Sequence, residues 1–302
     1  MRKAALDMVH QLARRDERVV YIGSDPGAGT LDAMKAEFPD RFFIEGIAEA
    51  NVVGMAAGLA MEGYIPYVNT IATFLTRRCF EQVAVDVCLH GLPVRLIGNG
   101  GGLVYAPLGP THTAIEDMAI MRALPGMAVV AVADADEMRR MMACTLDWRG
   151  PIYIRLGKGG DPVVSKEEGG FTLGRGIPMR DGGDVLIVST GVMTAKALQA
   201  ADVLDAAVLH LPTVKPLDTA ALFRLAEGRR LVATVEEHIR TGGLGSAVLE
   251  AFADREAMPV PRLLRLALPD AFVHNYGSQD GLLARFGLDS AGIAKSVREA
   301  LA

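Results

Sequence analysis

The chain has 302 residues, half of them hydrophobic and 22% charged, which is a globular balance and enough for about two domains of ~100–200 residues. Its formal net charge is -5 and no Lys/Arg run is longer than a pair such as Arg77-Arg78, which argues against a nucleic-acid partner; no apolar stretch reaches the ~18–20 residues of a membrane helix, so no membrane span is expected. The N-terminus has no apolar signal-peptide core, and the odd set Cys79, Cys88 and Cys144 has no metal-ligand spacing, so reduced thiols in a cytoplasmic protein with no metal site of its own are expected.

In chain order, an amphipathic helix over 1–14 runs into a short apolar strand at 19–22. Helical patterns at 49–61, 74–89, 113–123 and 134–147 then alternate with apolar runs at 66–69, 94–97, 128–133 and 152–156. Strands this uniformly apolar are covered on both faces, which predicts an α/β fold with a doubly wound parallel sheet over 1–160. The stretch 158–184 is rich in Gly, Pro and charge, and a linker over 161–183 is expected, with room for an extended arm. Alternation resumes with strands at 185–188, 208–211, 231–235 and 263–266 and helices near 193–204, 245–253 and 291–300. A second, smaller α/β domain over 184–302 follows.

No P-loop, GxGxxG turn after the first strand, GxSxG elbow or HExxH helix occurs. GNGGG at 98–102 follows a strand but lacks the Lys-Ser/Thr of a nucleotide loop, and suits a backbone that must approach a ligand or another chain. GIAEANVVGMAAGLA at 46–60 is unusual: a strand end passes into a helix of small apolar residues with one carboxylate, Glu49, at its start. That carboxylate is either a partner of the helix dipole or a buried functional group.

The segment at 46–60 resembles the pyrimidine-domain motif of transketolases and 1-deoxyxylulose-5-phosphate synthases. The resemblance implies thiamine diphosphate with Mg²⁺, and Glu49 in hydrogen-bond contact with N1′ of the aminopyrimidine, where a shared proton prepares the cofactor for carbon–carbon chemistry. TFLTRRCF at 73–80 resembles the cofactor-pocket motif. It implies Phe74 packed on the aminopyrimidine, Arg77 in agreement with the synthase version and Phe80 where either group often has Tyr; Ile71, just upstream, joins the expected cofactor pocket. GPTHT at 109–113 resembles the transketolase GPTHQ loop and implies His112 near the reacting carbon. PIYIR at 151–155 implies Arg155 on a substrate phosphate; Arg2 matches another phosphate-contacting Arg, and Asp25 an Asp near the cofactor and subunit interface. LVATVEEHIRTGGLGS at 231–246 and the run after it follow the family's C-terminal domain, so the resemblance covers almost the whole chain.

Three departures qualify the substrate site. Leu108 stands where transketolases usually place a hydroxyl-reading Asp, Gly100 where a phosphate-binding His is common, and the phosphate-binding Ser falls near Gly29. An ordinary pentose-phosphate substrate is therefore not expected. The GDG…N motif that binds diphosphate and Mg²⁺ is also missing, and the chain opens within a few residues of the pyrimidine domain. The expectation is a split enzyme: a partner subunit, transketolase-like and N-terminal in type, brings the diphosphate site, as an α₂β₂ heterotetramer that transfers a two-carbon ketol unit. The alternatives are a subunit of a 2-oxo acid decarboxylating carboligase or dehydrogenase, and a non-catalytic partner chain.

Overall fold

The computed structural model describes residues 1–24, 31–255 and 261–302. The first unit is built on a seven-stranded sheet. Six of its strands are β1 (Val19–Gly23), β2 (Phe42–Ile44), β3 (Ile65–Ile71), β4 (Arg95–Asn99), β5 (Ala128–Val130) and β6 (Ile152–Leu156). The later part of the chain carries β7 (Ile177–Arg180), β8 (Val185–Ser189), β9 (Ala207–His210), β11 (Leu231–Ile239) and β12 (Leu263–Leu268) of the second unit, and β10 (Thr213–Lys215), which is the seventh strand of the first sheet. Strand order is β10-β5-β6-β4-β3-β1-β2 in the first sheet and β12-β11-β8-β9-β7 in the second.

All pairs are parallel except two at the edges, β10 on β5 and β7 on β9. The central strands β1, β4, β6 and β8 are buried along their whole length, because helices cover both faces of each sheet. Apolar clusters lie on the two sides of each sheet: Leu6, Val9, Met138 and Ile154 on one face of the first, Val52, Ala56, Leu96 and Met118 on the other. The second unit has the same arrangement, around Ile187 and Ile293 on one side and Val188 and Val248 on the other.

Helices of the first unit are α1 (Arg2–Arg15), α2 (Asp32–Glu37), α3 (Glu49–Met61), α4 (Ala72–Thr76), α5 (Phe80–Gln82), α6 (Asp117–Ala123) and α7 (Ala135–Ala143). Those of the second are α8 (Met193–Leu204), α9 (Thr219–Ala226), α10 (Leu244–Ala253), α11 (Gln279–Arg285) and α12 (Ser290–Leu301). The helix expected over 74–89 is broken. It stops after α4, restarts as α5 and passes into a π-helical stretch, Val83–Cys88, where Leu89 N–H reaches back five residues to Ala84 O. Glycine-rich 158–176 leads into β7, which closes the edge of the second sheet.

The order of the first sheet sets the site. From β1 the chain steps outward to β2, then crosses back over β1 to β3, so β1 and β3 flank a switch point. Ligands in open parallel sheets bind beyond the carboxyl ends of strands at such a point.

Candidate active site

Ser24 follows β1, Thr70 and Ile71 end β3, and Asn99 ends β4. Their side chains open onto one cavity of about 310 Å³ beyond the strand ends. The apolar Ile47–Met61 segment brings Ile47 and Glu49 to its wall, α4 brings Phe74, and the loop after β4 brings Tyr105 and His112. Arg2, at the start of α1, lines this cavity and a second recess of about 190 Å³ beside it, together with Gly100 and Lys158.

Glu49 is 2% exposed as the first residue of α3. Its Oε2 accepts a hydrogen bond from Arg78 Nη1 at 2.6 Å. The Arg78 guanidinium also lies 4.1 Å from the centroid of the Phe74 ring. Phe74 in turn meets the His112 ring edge-on at 5.4 Å. His112 Nδ1 shares a hydrogen bond with Thr111 Oγ1 at 2.9 Å, which leaves Nε2 for a ligand. Carboxylate, aromatic face and imidazole thus stand around a single space.

The floor of the cavity is polar and tied to the strands. Asn69 and Asn99 exchange amide hydrogen bonds at 3.1 and 3.3 Å, and Ser24 Oγ bonds Thr70 Oγ1. None of Ser24, Thr70, Asn99 or Tyr105 was singled out from the sequence. For Ser24, Thr70 and Asn99 the signal available was positional: polar residues at the carboxyl ends of buried strands.

Other expected site residues lie elsewhere. Arg77 turns toward the GPTHT loop: its Nη2 donates to Thr111 O at 3.1 Å and Thr113 O at 3.4 Å, and its Nε lies 3.1 Å from Glu116 Oε1. Phe80 is 38% exposed on α5 and Leu108 52% exposed on a 3₁₀ turn, and neither lines the cavity. Gly100 sits at φ +76, and a Cβ there would run into the Tyr105 ring, so this position contributes backbone only. Asp25 lies outside the described residues.

Arg155 also stands apart from the cavity, buried where the two units meet. Its Nε pairs with Asp117 Oδ2 at 2.8 Å, and its Nη2 donates to Ala114 O and Glu237 O, both at 2.9 Å. Burial alone would lower its pKa; the Asp117 carboxylate, Glu237 and Tyr153 together outweigh it and hold the guanidinium above its ordinary value. Glu237, on β11, accepts from Leu103 N–H at 2.7 Å and Gln279 Nε2 at 2.9 Å. Gly102 allows this approach, since a Cβ there would strike the Glu237 side chain. Glu236 accepts from the Leu244 and Gly245 N–H groups that open α10. Burial raises both carboxyls to about 7 and lowers His238, next in the strand, to about 4.

Among the described residues no three His, Cys, Asp or Glu side chains gather as a metal site would require, and no helix is long and apolar enough to cross a membrane. The three cysteines are free thiols.

Comparison with known proteins defines the class. Residues 1–160 match the transketolase pyrimidine-binding domain and residues 174–293 the transketolase C-terminal domain. The chain belongs to the transketolase family, and its two α/β units are those two domains of the fold. It is similar to 1-deoxy-D-xylulose-5-phosphate synthase of Synechococcus sp. (strain JA-2-3B'a(2-13)), 41% identical over 95% of this chain but only 45% of that protein, so it spans about half that relative's length. It is also similar to the 6-deoxy-6-sulfo-D-fructose transketolase subunit SqwH of Clostridium sp. (strain MSTE9), 37% identical over 99% of this chain and 94% of that one. Among solved structures, a split gene transketolase, inactive beta4 tetramer, matches at TM-score 0.88 and 36% identity, covering 99% of this chain and 97% of that one.

Proposed function

We propose that this chain is the pyrimidine-binding and C-terminal subunit of a split, thiamine-diphosphate-dependent transketolase that moves a two-carbon ketol unit between sugar-like substrates. The observation that carries the reading is the buried Glu49 carboxylate facing Phe74 and His112 across one cavity. An aminopyrimidine has ring nitrogens, an amino group and two flat faces. The cavity offers one buried carboxylate for a ring nitrogen, the Phe74 ring for a face and Ile71 beside it, so the residues present fit the ring. When bound, thiamine diphosphate supplies the carbon nucleophile that makes and breaks carbon–carbon bonds.

The chain's own groups have distinct tasks. Glu49 holds and returns a proton at N1′ of the ring. Phe74 and Ile71 orient the ring and exclude water from one side. His112 Nε2 moves a proton at a substrate oxygen, its ring set by Thr111 and Phe74. Arg2 and Lys158, in the adjoining recess, hold an anionic end of the substrate. We assign Mg²⁺ and the diphosphate to an N-terminal-type partner subunit in an α₂β₂ assembly in the cytoplasm. The near full-length match to a protein named as a transketolase subunit supports that assignment, as does the solved split-gene chain, whose β tetramer is inactive.

The deciding experiment is turnover by the two-subunit complex with a panel of ketose donors, including phosphorylated and sulfonated ones. Glu49→Gln is expected to lower kcat by roughly 10²-fold or more while the complex still assembles; unchanged turnover sinks the role. A second reading, a 2-oxo acid decarboxylating carboligase, is favoured by the identity to the synthase. The same panel with pyruvate and an aldehyde separates the two, because only the carboligase releases carbon dioxide.

A further inference from the structure

Arg78 touches the two groups that an aminopyrimidine would use. Its Nη1 donates to Glu49 Oε2 at 2.6 Å, and its guanidinium stacks 4.1 Å from the Phe74 centroid. A guanidinium is a flat N–C–N system with N–H donors on its edge and a face that stacks on aromatics. The amidine edge of an aminopyrimidine has the same outline. Both flat groups call for the Phe74 face and the Glu49 carboxylate, and one space cannot hold both.

We infer that Arg78 is a built-in occupant of the pyrimidine end of the site, which must swing aside for the cofactor ring to seat; the inference rests on the function proposed above. The two partners differ in freedom. The Glu49 side chain is 1% exposed and fixed at the start of α3, whereas that of Arg78 is 45% exposed and has solvent to withdraw into. A buried carboxylate is costly without a partner, and Arg78 supplies one until the ring replaces it. The exchange is feasible because the Arg78 end is 45% exposed, so its guanidinium regains water on leaving, and the incoming ring replaces the partner that Glu49 loses. Arg78 is thus a positioning residue that sets cofactor affinity and keeps Glu49 paired.

The test is calorimetric titration of thiamine diphosphate, at saturating Mg²⁺, into the complex of this chain with its diphosphate-binding subunit. Arg78→Gln, which can still hydrogen-bond Glu49 but carries no charge, is expected to lower Kd roughly two- to ten-fold. Arg78→Lys, which keeps the charge but cannot lie flat on Phe74, is expected to fall between that variant and wild type. An unchanged or higher Kd for Arg78→Gln overturns the inference, and if that variant melts early, a Lys variant no tighter than wild type does the same. Failure of the wild-type complex to bind thiamine diphosphate overturns the proposed function and this inference together. Wild-type binding with no gain in the variants overturns this inference alone.

Discussion

Glu49 and His112 were legible as residues because their surroundings are chemically odd: a carboxylate opening an apolar helix, and an imidazole in a Gly-Pro-Thr loop. Their meeting in one cavity needed the fold. The neighbouring arginines show where a string of letters stops short. Arg77 and Arg78 are adjacent in the turn after α4 and take different partners: Arg77 bonds the GPTHT loop, which the motif does not foretell, and Arg78 pairs with Glu49. Arg155 is a similar case, matched to an anion-binding role but placed with Asp117 and Glu237 where the two units meet. Truncation of Arg155 to Ala is therefore expected to cost about 3–5 kcal/mol of stability, the usual penalty for orphaning a buried charge. Chemical denaturation measures it. A substrate-binding Arg155 would instead raise KM and leave the denaturation midpoint in place. His112→Ala is expected to slow kcat by about 10²-fold with little change in cofactor Kd. If steady-state kinetics were unaltered, His112 would be no more than packing for Phe74.

At the scale of elements, the central strands were easy because burial on both faces leaves short, mostly apolar runs. What escaped is short or locally ambiguous. The strands β2, β7 and β10 have three or four residues each, too few to show a period. The π-helical turn has the same composition as an α-helix and differs only in hydrogen-bond register. Two missed helices did carry signals: Asp218 caps α9 by accepting from Ala221 N–H at 3.0 Å, and Ser278 caps α11. Asp134 shows how far one cap reaches. It accepts from the Asp136 and Glu137 N–H groups at the start of α7 and from Val164 and Ser165 in the glycine-rich stretch after β6. Burial would raise its pKa, but these N–H donors prevail and hold it below the ordinary carboxylate value. Asp134→Ala is expected to cost about 2 kcal/mol or more, above a simple cap, because two segments lose their anchor together. A loss under about 0.5 kcal/mol would mean that water replaces the carboxylate fully.

The molecule as a whole has a pH dependence written at the contact between its two units. Glu236 and Glu237 ordinarily titrate near 4.5 and are raised to about 7 by burial, so between those values the folded chain holds more protons than the unfolded one. Stability from this pair falls as pH rises through that window. His238, lowered from 6.5 to about 4 by burial, acts in the opposite direction between those two values. Of these three groups only the glutamates act between pH 6.5 and 7, and their contribution to stability is expected to decline there. Denaturant midpoints at pH 6.5 and 7.5 measure the decline, and Glu237→Gln is expected to flatten it. An equal slope in that variant would assign the effect to other groups.

The strand β10 has a further consequence, one that concerns order of synthesis. It belongs by sequence to the second half, yet it pairs with β5 and forms the outer edge of the first sheet. A chain still emerging from the ribosome cannot finish its first sheet when residue 160 appears; β5 waits with a bare edge until residue 215 is free. During that interval the edge is open to pairing with other nascent chains. Thr213–Lys215 is thus the stretch whose arrival ends the exposure, and fusing or cutting the chain between the halves would prolong it.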